Sequence, residues 1–255
     1  PKTWDEMMSM CSKLKGKEIG GYAGQFAQYE GLTCNAAEAI DSAGGTIVDS
    51  DGKPTLDTPE AKAGLQNLVD AFADGNIPKE AITFQEEQGR MAFEAGKLLF
   101  LRNWPYVYNL AKTDGASKVK DTFAMTVLPG KSGPGASALG GHNAAISVYS
   151  ENKATALDFL KFLTSEEQQK LFATQGSLAP VLTALYEDKA LVAKLPYLTV
   201  LKASLDNAVP RPVTPFYPAV TKAIQDNAYA ALKGDVPVDT ALSDMQKAIE
   251  SAGAQ

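Results

Sequence analysis

Residues 97–106 read KLLFLRNWPY, and this stretch decides the fold class. Its first half carries a compact apolar run that predicts a buried strand over 97–102, and Trp104 and Tyr106 follow directly after that strand. One helix is predicted just upstream, over 86–95, and another just downstream. Strands that alternate with helices are typical of an α/β fold, so we predict that class.

The rest of the chain continues this alternation. Thr3 with Glu6, and Ser165 with Gln168, have the spacing of capping boxes that begin helices. We find no internal repeat and no low-complexity tract. The further predicted helices cover about residues 3–16, 34–43, 59–75, 156–163, a stretch from 165, 215–232 and 238–252, and the further strands begin near 19 or cover 122–128 and 144–148.

The composition is that of a chain with a substantial core and a modest negative charge. Apolar residues make up 45% of the 255 residues and charged residues 21%, which excludes a disordered chain. The 24 Lys and Arg residues against 30 Asp and Glu residues give a net charge of −6, which argues against nucleic acid or an anionic membrane as a partner. No apolar run approaches the roughly 20 residues of a membrane-spanning helix.

A single histidine, His142, restricts the enzyme classes that this sequence supports. Ser-His-Asp or Cys-His catalysis, and any zinc site with two imidazoles, would have to use this one residue. Cys11 and Cys34 allow one disulfide or none, and the sequence does not decide between them. The run 130–132, Gly-Lys-Ser, lacks the glycine that a phosphate-binding loop requires at position 125, so we do not predict such a loop. We predict neither a cofactor nor a metal.

Carboxylates are abundant enough to leave a glycoside hydrolase open as an alternative. Such an enzyme needs two acidic side chains that flank the bond to be broken. The adjacent acidic pairs of this sequence fall on polar faces or in first turns of predicted helices, where solvation or the helix dipole accounts for them. These pairs are Glu86-Glu87, Glu166-Glu167 and Glu187-Asp188.

Aromatic residues and flat polar groups gather beside glycines and prolines at the predicted ends of elements. A sugar ring has apolar C–H faces and an equator of hydroxyl groups, so aromatic rings together with amide, carboxylate and guanidinium groups suit it. If the same aromatics only packed in the core, they would indicate an interaction module instead. The aromatics are Tyr22, Tyr29, Trp104, Tyr106, Phe216 and Tyr217, and the polar residues are Gln25, Gln28, Glu30, Arg102, Asn103, Asn143 and Arg211.

Four motifs carry a family resemblance: QFAQYEGL at 25–32, RNWPY at 102–106, LGGHN at 139–143 and RPVTPFY at 211–217. With two framework helices, they resemble the extracellular solute-binding proteins of ABC sugar importers, and most closely the maltose and trehalose branch. The resemblance runs in order from the first residue to the last.

The resemblance implies a type II periplasmic-binding-protein fold, in which two α/β lobes, with a mixed sheet flanked by helices, close on a sugar about a hinge. Most of the first lobe in this family precedes the point where this sequence starts, so residues 1–141 and 177–255 are expected to form the second lobe. Residues 142–176 are expected to be a returning part of the first lobe. Half a cleft would bind sugar weakly, because closure depends on contacts from both lobes, and its uncovered apolar surface would favour self-association.

The resemblance also assigns sugar-binding roles to particular residues. Trp104 is expected to stack on a sugar ring, with Tyr106 nearby. The segment that crosses between the lobes contains Gly140, Gly141 and His142, and His142 stands where the family frequently has a tryptophan. It also assigns contacts to Arg211, Tyr29 and Glu30, and Gln25 and Tyr217 are added from the polar and aromatic residues described above.

The implied function is a non-catalytic receptor for a disaccharide such as trehalose or maltose, which it delivers to the permease subunits of an ABC transporter. Its expected location is outside the cytoplasmic membrane, in the periplasm or as a lipoprotein on the cell surface. A carbohydrate-active hydrolase that uses a carboxylate pair is the alternative.

Overall fold

The computed structural model describes residues 1–253, in which short parallel strands are set among many helices. None of these helices is both long enough and apolar enough to cross a bilayer. The strands are β1 (Gly20–Ala23), β2 (Leu98–Leu101), β3 (Ser137–Ala138) and β4 (Ala208–Val209). The helices are α1 (Trp4–Ser12), α2 (Glu30–Ser42), α3 (Pro59–Ala73), α4 (Glu86–Glu94), α5 (Tyr106–Thr113), α6 (Lys153–Leu163), α7 (Glu166–Gly176), α8 (Ala184–Glu187), α9 (Lys189–Lys194), α10 (Tyr197–Asp206), α11 (Tyr217–Lys233) and α12 (Val238–Gly253), with a 3₁₀ turn at Lys79–Thr83.

The strands of residues 1–253 form two parallel pairs. β1 pairs with β2, with Gly20 opposite Leu98 and Tyr22 opposite Phe100, and β3 pairs with β4. The predicted α/β class is therefore present, but as two small sheets in a helix-rich structure. In β2 only Leu98 is fully buried.

The strands predicted over 122–128 and 144–148 are wrong. Both stretches are irregular, and neither has a partner strand in the described part of the chain. Most of 144–148 is also exposed to solvent. A strand needs hydrogen-bonded neighbours and a covered face to be stable, so residue preference alone does not produce one.

The predicted helices are present, with some ends shifted. The Thr58 side-chain oxygen accepts a hydrogen bond from the Ala61 N–H at 3.2 Å, which caps α3. Only half of the first predicted capping box forms, because the Glu6 carboxylate accepts from the Lys2 N–H rather than from Thr3. α2 begins at Glu30, earlier than the predicted start near residue 34.

The main core lies between α2, α3, α11 and α12, which pack on one another and on β1. Gly64 brings α2 and α3 together, because a Cβ there would lie 2.5 Å from the Ala39 carbonyl oxygen. A second, smaller cluster surrounds Tyr197, whose hydroxyl donates to the Ala173 carbonyl oxygen at 2.9 Å and so ties α10 to α7. Cys11 and Cys34 are both buried and form no disulfide.

Residues 139–163, which we call the exposed segment, differ from this core. The segment contains α6, which has no buried residue. Its exposed apolar side chains include Val148, Tyr149, Leu157, Phe159 and Phe162. The predicted helix is therefore present, but no other element of residues 1–253 buries its Leu157, Phe159 and Phe162 side chains, which remain exposed.

Candidate functional site

The carboxyl ends of β1 and β2 bring several predicted site residues to one edge of the sheet. The two parallel strands end at Ala23 and Leu101, so the loops that follow them leave from the same edge. The Gln25 side chain joins these loops by donating from Nε2 to the Arg102 carbonyl oxygen at 3.0 Å. The candidate site lies at this edge.

A buried ion pair supports the edge from inside. Arg102 donates to the Glu38 carboxylate from Nε at 2.8 Å and from Nη2 at 2.6 Å, and its Nη1 donates to the Gln25 amide oxygen at 2.7 Å. Only 3% of the Arg102 side chain and 7% of the Glu38 side chain are exposed. Burial acts to lower the pKa of Arg102, but the Glu38 carboxylate outweighs it and the pKa is raised, so the guanidinium stays charged.

Trp104 packs on this ion pair and remains partly exposed. The guanidinium carbon of Arg102 lies 4.1 Å from the centre of the indole ring, a cation–π contact. The indole Nε1 donates to Glu86 Oε1 at 3.3 Å. A Cβ on Gly140 would lie 3.5 Å from Cζ3 of the same indole, so the glycine adds no side chain over it. A ring held in place with part of its surface open suits stacking on a ligand ring.

Two tyrosines lie beside the same acidic helix start. The Tyr106 hydroxyl donates to Glu87 Oε1 at 2.8 Å, and burial followed by this contact raises the pKa of Tyr106. The Tyr29 hydroxyl is shielded from solvent and has no hydrogen-bond partner of good geometry within residues 1–253. Burial and the nearby Glu86 carboxylate raise the pKa of Tyr29. Both tyrosines therefore stay neutral near pH 7 and keep a hydroxyl hydrogen to donate.

A second polar cluster lies where α2 and α11 begin. The Glu30 carboxylate accepts from Arg211 Nη1, from the Tyr217 hydroxyl and, at 2.7 Å, from the Thr221 hydroxyl. The Arg211 guanidinium carbon is 5.9 Å from the centre of the Tyr217 ring. Burial, followed by the Glu30 contact, raises the pKa of Tyr217 to about 12. Tyr29 precedes Glu30 in the chain and connects this cluster to the surroundings of Trp104.

Three of the predicted site residues take up other positions. Gln25 is fully buried and uses its amide within the protein, so we assign it a supporting role. Gly141 and His142 are exposed, and the His142 side chain makes no hydrogen bond within residues 1–253. A Cβ on Gly141 would meet nothing within 4 Å, so this residue packs on neither the indole nor any other group of the described structure.

The sequence pattern at Glu86 and Glu87 predicts only a solvated helix start, and it does not reveal their role in the site. The structure places them against Trp104 and Tyr106. The order of elements along the chain could have predicted this position. α4 is followed by a tight turn at 95–97 and then by β2, so the amino end of α4 lies beside the carboxyl end of β2.

A concavity of about 760 Å³ lies at the opposite, amino end of the β1–β2 pair. Cys11, Gly20, Met91 and Leu98 are among the residues that line it. None of the ten residues predicted to bind sugar belongs to this lining. The polar and aromatic groups described above therefore belong to a different region from this concavity.

The sequence model for a bacterial extracellular solute-binding protein matches residues 1–170. The chain belongs to this family. A probable ABC transporter-binding protein of Deinococcus radiodurans is 36% identical over 243 residues, which cover 91% of this chain and 57% of that protein.

Solved structures of solute-binding proteins share the fold. Maltose-bound MalE3 of T. maritima is 34% identical, with a TM-score of 0.91 over 98% of this chain and 65% of that one. A solute-binding protein of Agrobacterium radiobacter K84 in complex with ribitol is 25% identical, with a TM-score of 0.83 over 97% of this chain and 63% of that one. The expected type II periplasmic-binding-protein fold is confirmed, and the chain spans 57% to 65% of the length of these three relatives.

Proposed function

We propose that this chain contributes to the substrate-binding component of an ABC transporter whose substrate is a sugar or polyol, specifically a disaccharide such as maltose or trehalose. The observation that carries the proposal is the Trp104 indole, which is fixed by Arg102 and Glu86 and remains partly exposed. The maltose and the ribitol in the two related structures support this class of solute.

The geometry suits a sugar for two reasons. The exposed part of the Trp104 indole offers an apolar surface to the C–H face of a pyranose ring. Glu86 and Glu87 next to it offer carboxylate oxygens that accept hydrogen bonds from sugar hydroxyls, and such charge-assisted bonds are the stronger kind. Tyr106 and Tyr29 add neutral hydroxyl groups that both donate and accept.

The Glu30 cluster serves as the second polar group of the proposed site. Arg211 and Tyr217 are held by one carboxylate, which fixes the direction of their remaining donors and acceptors. Gly140 gives close access to the indole, and we keep Gly141 and His142 as contacts that would form only when the exposed segment moves toward the ligand. Such contacts would make binding depend on closure.

We also propose the division into lobes that the sequence suggested, with one adjustment. The absence of buried residues from α6 supports assigning the stretch that starts at residue 142 to a different lobe from the main core. α7, however, packs on the Tyr197 cluster through Ala173. We therefore place the return to the second lobe near residue 164 rather than at 177. In this proposal the closed receptor meets its permease outside the cytoplasmic membrane, as a periplasmic protein or an anchored lipoprotein.

A role as a hydrolase is the weaker candidate, because the pKa shift of the Glu87 carboxyl group at the site does not suit it. A glycosidase needs one carboxyl group with a raised pKa to protonate the leaving group. Arg90 and Tyr106 lower the pKa of Glu87, which is the opposite shift. The pKa of Asp41 is raised to about 7 by burial, but Asp41 lies roughly 16 Å along α2 from Glu30, too far for these two carboxyl groups to flank one glycosidic bond. We therefore propose binding without catalysis.

The two tryptophans provide a direct test of sugar binding. In ¹⁵N-labelled protein each indole gives its own N–H resonance, and a Trp104→Phe variant identifies which one belongs to Trp104. We expect maltose or trehalose to shift the Trp104 resonance saturably and to shift that of Trp4 much less, because Trp4 packs against the main core, edge to face with Tyr22. A shift titration also measures the weak binding expected of a single lobe.

The controls separate the solute classes. Ribitol tests for a polyol, and glutamate tests for an amino acid receptor. A Trp4→Phe variant should bind as the wild type does, whereas Trp104→Ala should lose binding. If no sugar or polyol moves the Trp104 resonance, the proposed function is wrong. If a chromogenic glycoside is hydrolysed and Glu86→Gln abolishes the turnover, the hydrolase is the correct function.

A further inference from the structure

We propose that Arg102 is a positioning residue, which orients the Trp104 indole before a ligand arrives. This inference rests on the proposed function only for its effect on affinity. Its structural part concerns Arg102 and Trp104 alone and stands whatever the ligand is.

The Arg102 side chain is fixed more firmly than packing on an indole requires. Nε and Nη2 donate to the two oxygens of the buried Glu38 carboxylate, and Nη1 donates to Gln25 Oε1. Gln25 is held in turn by the Asn35 amide, which donates to the same oxygen at 3.2 Å. These bonds lie in the guanidinium plane, so they leave its flat face free to contact the indole at 4.1 Å.

Trp104 needs such support because it lies in a loop. It follows the last residue of β2 by three positions and precedes α5, so no regular element fixes its side chain. Ordering a flexible side chain on binding costs about 0.5–1.5 kcal/mol. An indole that is already held in the free protein avoids that cost, which corresponds to about 2- to 10-fold in affinity.

The same ion pair also holds the strand that leads to a second neighbour of the indole. Glu38 Oε1, which accepts from Arg102, accepts a second hydrogen bond from the Ala138 N–H at 2.9 Å. Ala138 lies in β3, two residues before Gly140, where an added Cβ would lie 3.5 Å from the indole. One carboxylate therefore holds both the guanidinium under Trp104 and the strand end that leads to Gly140.

An Arg102→Lys variant separates positioning from charge. Lysine keeps the positive charge opposite Glu38 but has no flat face and no fork of donors, so it removes the support of the indole. Two measurements apply to this variant: the ¹⁵N heteronuclear NOE of the Trp104 indole, which reports picosecond to nanosecond motion, and the affinity for maltose by the shift titration. The Trp4 indole in the same sample is the internal reference for the NOE.

Ile40→Val is the matched control for lost stability. Ile40 is fully buried on α2 close to Glu38, but it belongs to the main core and not to the ion pair. We expect Arg102→Lys to increase the motion of the Trp104 indole and to weaken maltose binding by about 2- to 10-fold. Ile40→Val should change neither, and the Trp4 indole should stay rigid in every variant.

Several results would overturn this inference. The first is a Trp104 indole that is already mobile in the wild-type protein, which requires no variant. The second is an Arg102→Lys protein with an unchanged NOE, and the third is a loss of affinity no larger than that of Ile40→Val. If the wild type binds no sugar or polyol, the proposed function fails, and the indole NOE alone decides whether Arg102 positions Trp104.

Discussion

The main core and the exposed segment are both built from helices with apolar residues, yet they bury very different amounts of side chain. Each of α2, α3, α11 and α12 has at least six buried residues. α6 has none, although Leu157, Phe159 and Phe162 are as apolar as the core residues. An apolar pattern along a helix thus shows that the helix suits a covered position but does not show what covers it.

The charges of the two regions differ in the same way. Arg102 and Glu38 form an ion pair with 3% and 7% of their side chains exposed, whereas Lys161 and Asp158 on α6 form one with 68% and 77% exposed. The buried pair replaces water with hydrogen bonds from Arg102 to Glu38 and Gln25, so losing one partner leaves an isolated charge in the interior. When one partner of the exposed pair is lost, the remaining charge is still solvated by water.

Truncation of one phenyl ring in each region gives the largest expected contrast. Phe26 is fully buried and meets Tyr22 and Phe72 edge to face, with ring centres 6.3 Å and 5.1 Å away. We expect Phe26→Ala to lower the free energy of unfolding by about 3–5 kcal/mol. Phe159→Ala, at a side chain that is 56% exposed, should stay within about 0.5 kcal/mol of the wild type. Urea unfolding measures both, and equal losses would show that α6 is covered in solution.

Removal of one cation from each ion pair comes next in size. Arg102→Met should lower the free energy of unfolding by about 3 kcal/mol, because Glu38 is left buried without its cation. Lys161→Met is the matched variant and should cause no measurable loss. Chemical denaturation at constant pH compares them. If Arg102→Met is as stable as Lys161→Met, the buried pair contributes nothing net to stability.

The fold class and most helices could be predicted from the sequence because their signals are local. Thr58 with Pro59 marks the start of α3 through its own hydrogen bond and backbone angle. The strands predicted over 122–128 and 144–148 failed because a strand depends on a partner elsewhere in the chain, and no local pattern reports one. The burial of β2 was overstated for the same reason, since a two-stranded sheet leaves Leu99 exposed.

The site could be predicted in part. Trp104 and Tyr106 could be proposed because aromatic residues directly after a strand are visible in the sequence, and the family resemblance added Arg211 and Glu30. That one carboxylate holds both Arg211 and Tyr217 was not predicted. The resemblance did not reveal the buried link between Arg102 and Glu38, whose partners are 64 residues apart in the chain. The approach of Glu86 to Trp104 was missed because a helix start has an explanation in the helix dipole alone.

The pH dependence of stability should originate in the main core, at Asp41. Burial, followed by repulsion from Glu38, raises the pKa of Asp41 from 3.8 to about 7 in the folded protein. The folded state therefore binds more protons than the unfolded state between these values, and stability falls as the pH rises through this range. Asp41→Asn removes the effect, so we expect a gain of up to about 4 kcal/mol at about pH 8 and almost no gain at about pH 4.

Denaturation of Asp41→Asn and of the wild type across this pH range measures both the sign and the size of the change in the free energy of unfolding. Asp158→Asn on α6 is the matched control, because 77% of the Asp158 side chain is exposed. Its stability should follow that of the wild type at every pH. If Asp41→Asn gains stability equally at both ends of the range, titration of Asp41 is not the cause.

Substitution within the exposed segment should change association rather than folding. Phe159 and Phe162 are both more than half exposed, and exposed apolar groups of this kind favour contact with a second copy of the chain. We expect Phe159→Ser with Phe162→Ser to leave the urea midpoint almost unchanged and to reduce the rise of the mean mass with protein concentration in light scattering. Lys161→Met on the same helix, which adds apolar surface, should increase that rise. A wild type that scatters as a monomer at every concentration would show that the exposed aromatics of α6 do not bring two copies together. The main core and α6 would then differ in how much side chain they bury, but not in whether they bind a second copy.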